Sequence, residues 1–333
     1  MTTYYRPLVQ HGCARPTGAV TLAGQTSLWF THVEEISRRS QPAVVLADEV
    51  PLQWLERLRR PRPSLSGLDM ARPHIMGILN TTPDSFSDGG VHASVDAARR
   101  AAADMVSCGV SVLDIGGEST RPGARLVPSE EEIARTRPVI EAIRADTDAL
   151  ISIDTRKAQV AQAACAAGAG LVNDVSGFTF DPDLAPLCAR LKVPVCVMHM
   201  QGDPATMQDN PVYDNVLLDV YDFLEDQIAQ LEKLGISRDL IIADPGIGFG
   251  KSESHNLALL QNLSLFHGLG CPILLGVSRK GFIGSIGRES RKTARAPGSI
   301  AVALAGLSQG IQILRVHDVA ETAQALRLWA AVR

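Results

Sequence analysis

No apolar run in this chain approaches the roughly 20 residues needed to cross a bilayer, which argues against a helical membrane protein. Excess positive charge is also missing. The formal net charge is -4 with 20% charged residues, so there is no basic field to gather nucleic acid. One basic stretch, RESRKTAR at residues 288–295, reads as a solvated surface loop. The opening MTTYYRPLVQ lacks the apolar core of a signal peptide. The cysteines (Cys13, Cys108, Cys165, Cys188, Cys196, Cys271) form no C-x-x-C pair, and their surroundings are those of small buried hydrophobes. A reduced, cytoplasmic protein is the expectation.

What is present is ample apolar material: 45% of 333 residues, enough for one large core or a large domain with a small appendage. Residues 1–73 differ in character from the rest. GAVTLAG, SLWFTHV and PAVVLAD suggest short strands, and PLQWLERLRR sets Leu52, Leu55 and Leu58 at helical spacing with Trp54 near that face. PRPSLSG (61–67) reads as a linker. These apolar residues need burial, so the segment is expected to be a small ordered subdomain whose role the sequence does not reveal.

From residue 74 one pattern repeats. HIMGILN, VLDIGG, LISIDT, LVNDVS, PVCVMHM, LIIADPG, PILLGVS and IQILRVH are short apolar runs, each followed by a helical stretch. Among those helices, Val95, Ala98, Ala102 and Met105 share a stripe ended by Gly109. Ser129 and Glu132 have the spacing of a capping box, and a long amphipathic helix covers residues 212–234 before Gly235. Eight strand–helix units in about 260 residues suit an α/β fold of the (β/α)8 TIM-barrel type, carrying a small N-terminal extension. The expected division is 1–73 for the extension and 74–333 for the barrel. Near-continuous apolar strands fit parallel strands covered by helices. An open doubly wound sheet is the competing architecture, and the absence of a nucleotide fingerprint at the first strand–helix turn disfavours it.

In such barrels the active site lies at the carboxyl ends of the strands. Here those ends carry Asn80, Asp114, Asp154, Asn173, His199, Asp244, Ser278 and His317. So many polar groups imply a cavity for a richly hydrogen-bonding ligand, since each one left unpaired would cost about 1–3 kcal/mol. Asp154, Asn173 and Asp244 together suit a flat heterocycle with an amidine-like edge, such as a pterin or guanine. Taken alone, Asp154 reads equally well as a helix cap. A second set is cationic: Arg121, the Ser278-Arg279-Lys280 run, Arg315 and His317. It lies partly after strands seven and eight, where this fold places phosphate. Arg279 with Lys280 also reads as a surface pair, whereas Arg315, between Leu314 and Val316, is expected to face the lumen. Asn80 could lend an oxygen to Mg2+.

GIGFGKS (246–252) looks like a phosphate loop but lacks the G-x-x-x-x-G-K-[ST] spacing. Its glycines are expected to let backbone approach a flat ligand, with Phe249 near its face. His199 and His317 show no metal-protease spacing, which leaves a zinc site a minor reading.

LNTTPDSFSDGG, DIGGESTRPGA, SIDT, NDVSG, MHMQGDP, DPGIGFGK, GVSRKGFIG and RVHDV, in this order, closely resemble the dihydropteroate synthase family across about residues 74–333. The resemblance implies condensation of 6-hydroxymethyl-7,8-dihydropterin diphosphate with p-aminobenzoate to 7,8-dihydropteroate and diphosphate, the folate-pathway step that sulfonamides inhibit. It assigns pterin contacts to Asp114, Asp154, Asn173, Asp244 and Lys280. Diphosphate contacts fall to Asn80, Arg121, Arg315 and His317, with Asn80 also toward Mg2+. Contacts to p-aminobenzoate fall to Phe86, Thr120, Pro122, Phe249 and Ser278. Asp154, Asp244, Lys280 and Arg315 are the implied catalytic group. The implied mechanism is departure of diphosphate, a pterin-methyl cation held by carboxylates, and two mobile loops (81–93 and 118–127) that close over the site. A homodimer is implied as well.

The sequence departs from the common family pattern at Thr81, Ile247 and Gly281, and in having residues 1–73 at all. Two other readings compete. A methyltetrahydrofolate:corrinoid methyltransferase shares the barrel and the Asp/Asn set but has no need of GESTRPG or of the SRK and RVH strand ends. A pterin-binding paralogue without synthase activity would be expected to lack Asn80, Arg121, Lys280 or His317.

Overall fold

The computed structural model describes residues 2–81, 90–119, 125–202 and 206–332. The first strands, β1 (Thr3–Pro7), β2 (Gln10–His11), β3 (Val20–Thr21), β4 (Leu28–Phe30), β5 (His32–Ser37) and β6 (Ala43–Leu46), form two antiparallel three-stranded sheets, β1-β5-β6 and β2-β4-β3. The three segments expected as strands contain β3, β4 and β6 and only the first two residues of β5, and β1 and β2 fall outside them. Both faces of β1 are covered: Tyr4 packs edge-on to Tyr221 at 5.4 Å, and Tyr5 packs edge-on to Trp54 at 5.6 Å. A strand buried on both sides shows no in–out alternation, and so leaves no periodic signal.

Helix α1 (Leu52–Arg59) forms where expected, but its buried face differs. Leu58 is buried while Leu52 is 68% exposed. Trp54 is the anchor instead, stacked on Tyr221 at 5.5 Å. That approach needs Gly268, because a Cβ there would lie 2.1 Å from the indole ring. The extension is tied to a barrel helix, α6 (Val216–Lys233), by Tyr4 Oη donating to Asp222 at 2.7 Å. Arg38 adds bonds to Asp219 (2.6 Å) and Asp222 (2.7 Å), and Arg57 one to Glu225 (2.9 Å).

The expected linker (61–67) sends Leu65 into the core, and Met70 follows just beyond it. Leu65 and Met70 are fully buried against Met76, Val112, Leu171, Cys196, Ile242, Leu274 and Ile313, residues near the starts of seven barrel strands. Leu65 and Leu68 exchange backbone hydrogen bonds of 3.0 and 2.9 Å, making a small knot that presents Leu65 to the barrel floor. Proline and glycine set the turns, but the leucines are what the segment contributes.

The barrel strands are β7 (His74–Asn80), β8 (Val112–Gly116), β9 (Leu150–Asp154), β10 (Leu171–Asp174), β11 (Val195–Met198), β12 (Ile241–Asp244), β13 (Leu274–Leu275) and β14 (Ile313–Val316). All pair in parallel in the order β12-β11-β10-β9-β8-β7-β14-β13. A parallel bridge between Ala243 and Ile273 joins the two ends and closes the barrel. Helices α2 (Gly90–Ser107), α3 (Ser129–Arg144), α4 (Ala158–Ala167), α5 (Leu184–Leu191), α6 (Val216–Lys233), α7 (Glu253–Gln261), α8 (Gly281–Ile286), α9 (Ala296–Leu307) and α10 (Val319–Ala331) fill the connections. Ala98 and Ala102 of α2 are buried as the stripe predicts.

The capping box expected at α3 does not form. Pro128 is the N-cap, Ser129 makes no cap bond, and Glu132 sends its carboxylate to Lys157 Nζ at 2.6 Å. A buried ammonium is a stronger claimant for that carboxylate than a backbone N–H. Helix α6 is capped by Asn215, whose Oδ1 accepts from Leu218 N at 3.2 Å while Asp219 Oδ2 accepts from Asn215 N at 3.1 Å.

Candidate active site

Parallel register aligns the strand ends. Asn173 of β10 lies beside Asp154 of β9, and Asp154 beside Gly116 of β8. Gly116 has no side chain to separate its neighbours: a Cβ there would sit 3.6 Å from Asp154 Cβ and 3.7 Å from Asn80 Oδ1. Asn80 and Asp154 are thereby brought to one place.

Arg315 reaches across from β14 into this group, in the inward direction expected. Its Nε donates to Asp114 Oδ2 at 2.6 Å and its Nη2 to Asp154 Oδ2 at 2.6 Å. Asn173 Nδ2 approaches Asp114 Oδ2 at 3.3 Å. Asp154 therefore belongs to the lumen cluster. The cap reading is set aside, since the first turn of α4 takes its bond from Asp181 Oδ2, which accepts from Ala158 N at 2.7 Å.

Burial pushes Asp154 up to about 7, assisted by the neighbouring Asp114 and opposed by Arg315. Its Oδ1 is buried with no partner among the described residues. Asp244 is also raised by burial, and its Oδ1 accepts from Gly246 N at 2.7 Å. Three buried carboxylates, one guanidinium and one carboxamide leave acceptors in excess. Such a site calls for a ligand edge rich in N–H donors.

Beside this set lies the cationic one. Lys280 Nζ stands 4.1 Å from the centre of the Phe249 ring, a cation–π contact. Ser278 Oγ accepts from His317 N at 3.1 Å and lies 3.0 Å from His317 Nδ1, tying the end of β13 to that of β14. The Arg279–Lys280 pair divides: Arg279, at φ +59°, turns to Asp318, bonding its Oδ2 through Nε at 3.0 Å. Of the remaining expected residues, Phe86, Thr120, Arg121 and Pro122 lie outside the described residues, as do most of segment 81–93 and the middle of 118–127.

His199 is a correction. It was grouped with the cavity-facing strand ends, but its Nδ1 is 2.8 Å from Lys251 Nζ and its ring packs edge-on to Phe223 at 4.9 Å. Burial and Lys251 push its pKa down to about 2, which leaves it a neutral, structural imidazole. Among the described residues no three His, Cys, Asp or Glu side chains are placed to hold a metal, which leaves the zinc reading without a site.

Two features of the rim were missed. Lys157 Nζ donates to Glu118 Oε2 (3.1 Å), Glu132 Oε2 (2.6 Å) and Val127 O (2.6 Å), while Glu118 also takes Arg156 and Val127 N. Lys251 is the other, enclosed behind the 246–250 turn. The available signal was weak: charged residues directly following apolar strand ends, which sequence patterns assign to solvent.

Residues 76–317 match the family model described as pterin binding enzyme, and the chain belongs to that family. Within that class it is similar to dihydropteroate synthases. It is 45% identical to the Escherichia coli K12 dihydropteroate synthase over 263 residues, covering 79% of this chain and 93% of the relative. Against the Haemophilus influenzae dihydropteroate synthase it is 46% identical over 264 residues, covering 79% and 95%. Among solved structures, the Yersinia pestis dihydropteroate synthase with a sulfonamide drug complex superposes with a TM-score of 0.76 at 44% identity, covering 80% of this chain and 96% of that one. The Xanthomonas albilineans dihydropteroate synthase with 4-aminobenzoic acid gives 0.75 at 46%, again covering 80% and 96%.

Proposed function

We propose that the chain condenses 6-hydroxymethyl-7,8-dihydropterin diphosphate with p-aminobenzoate, forming 7,8-dihydropteroate and releasing diphosphate. The observation that carries this reading is the cluster of Asp114, Asp154, Asn173, Asp244 and Arg315 at the strand ends, in a chain 45% identical over 263 residues to the Escherichia coli dihydropteroate synthase. Relatives solved with 4-aminobenzoic acid and with 7,8-dihydropteroate support both the acceptor and the product.

In this reading Asp154, Asp244 and Asn173 take the N–H edge of the pterin, with Asp114 holding Asn173 and Arg315 in place. Lys280 lies over Phe249 and closes one side of the ring. Arg315, His317, Arg121 and Asn80 receive the diphosphate. The donor set fits Mg2+ as a substrate-borne ion, because Asn80 offers one neutral oxygen and Mg2+ is commonly held by one or two protein oxygens plus phosphates and water. When bound, the ion would neutralise charge on the leaving diphosphate. As the C–O bond breaks, positive charge develops on the pterin methyl carbon. The buried carboxylates Asp154 and Asp244 stabilise that charge, strongly so in a site screened from water. The amine of p-aminobenzoate then attacks that carbon, forming the C–N bond and releasing one proton from nitrogen to solvent, with its ring near Phe249 and its carboxylate toward Ser278, alongside Phe86, Thr120 and Pro122.

We further propose a cytoplasmic homodimer that binds sulfonamides in the p-aminobenzoate position. Free thiols at all six cysteines support a reducing compartment, and exposed Ile286 and Leu328 on α8 and α10 support contact through C-terminal helices. Sedimentation analysis tests the dimer. The reaction is tested by diphosphate release with Mg2+ and the dihydropterin diphosphate, with and without p-aminobenzoate. Release that depends on p-aminobenzoate and matches dihydropteroate formed is the expected result. Pterin binding without turnover would favour a non-synthase paralogue.

A further inference from the structure

The sequence GIGFGK ends in a lysine that looks poised for a phosphate, yet Lys251 points back into its own loop. Its Nζ lies 2.9 Å from Gly246 O, 3.0 Å from Phe249 O, 3.3 Å from His199 O and 2.8 Å from His199 Nδ1. The side chain is buried; three of these contacts are backbone carbonyls, which only accept, and His199 Nδ1 accepts in the tautomer that carries its proton on Nε2. Among the described residues no carboxylate bonds to it. Burial, with Lys280 adding to it, holds its pKa well below the usual lysine range against the opposing pull of Asp244, and the carbonyl oxygens around it are what accept from the ammonium.

We propose that Lys251 is a positioning residue for the substrate site: its ammonium is the internal cation around which turn 246–250 is wound, and it fixes Phe249 beneath Lys280. The rest of the turn is held by other groups. Gly248 O accepts from Gln208 Nε2 at 2.8 Å, Gly250 O from Tyr213 Oη at 2.7 Å, and Gly248 N donates to Asn256 Oδ1 at 2.7 Å. Among the described residues the backbone of Phe249 has no side-chain partner apart from Lys251. Its N–H goes to Gly246 O at 3.1 Å, its carbonyl goes to Lys251, and Gly246 O is shared by both. The turn is also pressed onto the segment after β11. A Cβ at Gly246 would lie 1.9 Å from His199 O, and one at Gly250 would lie 2.3 Å from Gln201 O. With the backbone jammed behind, the orientation of Phe249 is decided by what its carbonyl meets. The ammonium does there what a small bound cation does among carbonyls elsewhere, with the difference that it is covalently delivered.

The inference rests on the synthase reading for its kinetic test, and wild-type turnover measured in parallel separates the two. Lys251→Met keeps the length and removes the donor. It is expected to raise KM for both substrates by roughly tenfold or more, the scale of one lost charge-assisted bond. In a Phe249→Ala background the same change is expected to add little, because its route of action is gone. Lys251→Ala is expected to regain affinity with n-propylammonium and not with n-propanol. Wild-type KM in Lys251→Met, additive effects in the double variant, or equal rescue by the neutral alcohol would each overturn the proposal. If Lys251→Met does not fold, Lys251→Gln, which keeps an N–H donor, carries the same cycle. If the wild type shows no turnover, the synthase reading fails, and calorimetric titration of pterin against the same variants decides the case of Lys251.

Discussion

The two ends of the barrel are built from the same eight strands and are chemically opposite. At the floor, Met76, Val112, Leu171, Cys196, Ile242, Leu274 and Ile313 meet Leu65 and Met70 in a dry apolar cluster. A few residues higher, Asp114, Asp154, Asn173, Asp244 and Arg315 converge with little water access. The floor gains stability from burial, whereas the rim spends it, because each buried charge must be compensated by a partner or by ligand. A parallel strand of four or five residues can serve both ends, since its first residues fill the floor and its last meet substrate.

The largest expected effect comes from breaking the rim. Arg315→Met leaves Asp114 and Asp154 facing each other without their cation. Activity is expected to fall about a thousandfold, and stability by about 3 kcal/mol. Turnover and thermal denaturation near wild-type values would show that the pair is not the centre of the site. Leu65→Ala attacks the floor instead. A loss of about 2–4 kcal/mol is expected from the buried cavity, read by urea denaturation, with substrate KM unchanged. A shift in KM at unaltered stability would mean that the ends are coupled rather than divided.

The electrostatic contrast is sharpened by pH. With Asp154 held up to about 7, it is protonated in the folded chain across a range where the unfolded chain has it ionised. Its contribution to stability is therefore greatest below its ordinary value and is lost as pH rises toward about 7. Pterin binding runs the other way, since an N–H donor edge needs the ionised carboxylate. Pterin affinity should rise up to about tenfold per pH unit approaching 7 and then level off. Asp154→Asn should flatten both profiles, and a pH profile unchanged by that substitution would remove Asp154 as its source. The smallest effect is expected at Gly281, where a Cβ would meet nothing within 4 Å. Gly281→Ser, which restores the residue common in the family, should move stability by less than about 0.5 kcal/mol. A large change in the melting temperature would show that the glycine is required there.

Much of this was legible beforehand because it is periodic. Apolar runs such as LISID and LVN, each ending on a polar residue, mark both the strand and the end that faces the candidate site. The alternation of Arg315 with Leu314 and Val316 allowed either the lumen or the helix side, and a charge is better placed in the lumen, where it lies. What was misread had contacts that are distant in sequence. Leu65 looks like part of a linker because the strands it packs on lie elsewhere in the chain. Ser129 and Glu132 have the spacing of a cap, yet Lys157 takes the glutamate. His199 stands at a strand end like its neighbours, and Lys251 turns it into structure. Tyr4 and Tyr5 carry a strand whose two faces meet different cores.

Composition, period and the order of the motifs by themselves determined the barrel, the family and the polar strand ends, because these depend on local pattern and chain direction. Tertiary structure decided which charge meets which. Whether Arg315 clasps two aspartates, Glu132 a lysine, or Lys251 the carbonyls of its own turn depends on distances of about 3 Å between residues far apart or folded back on themselves. No local rule encodes those distances.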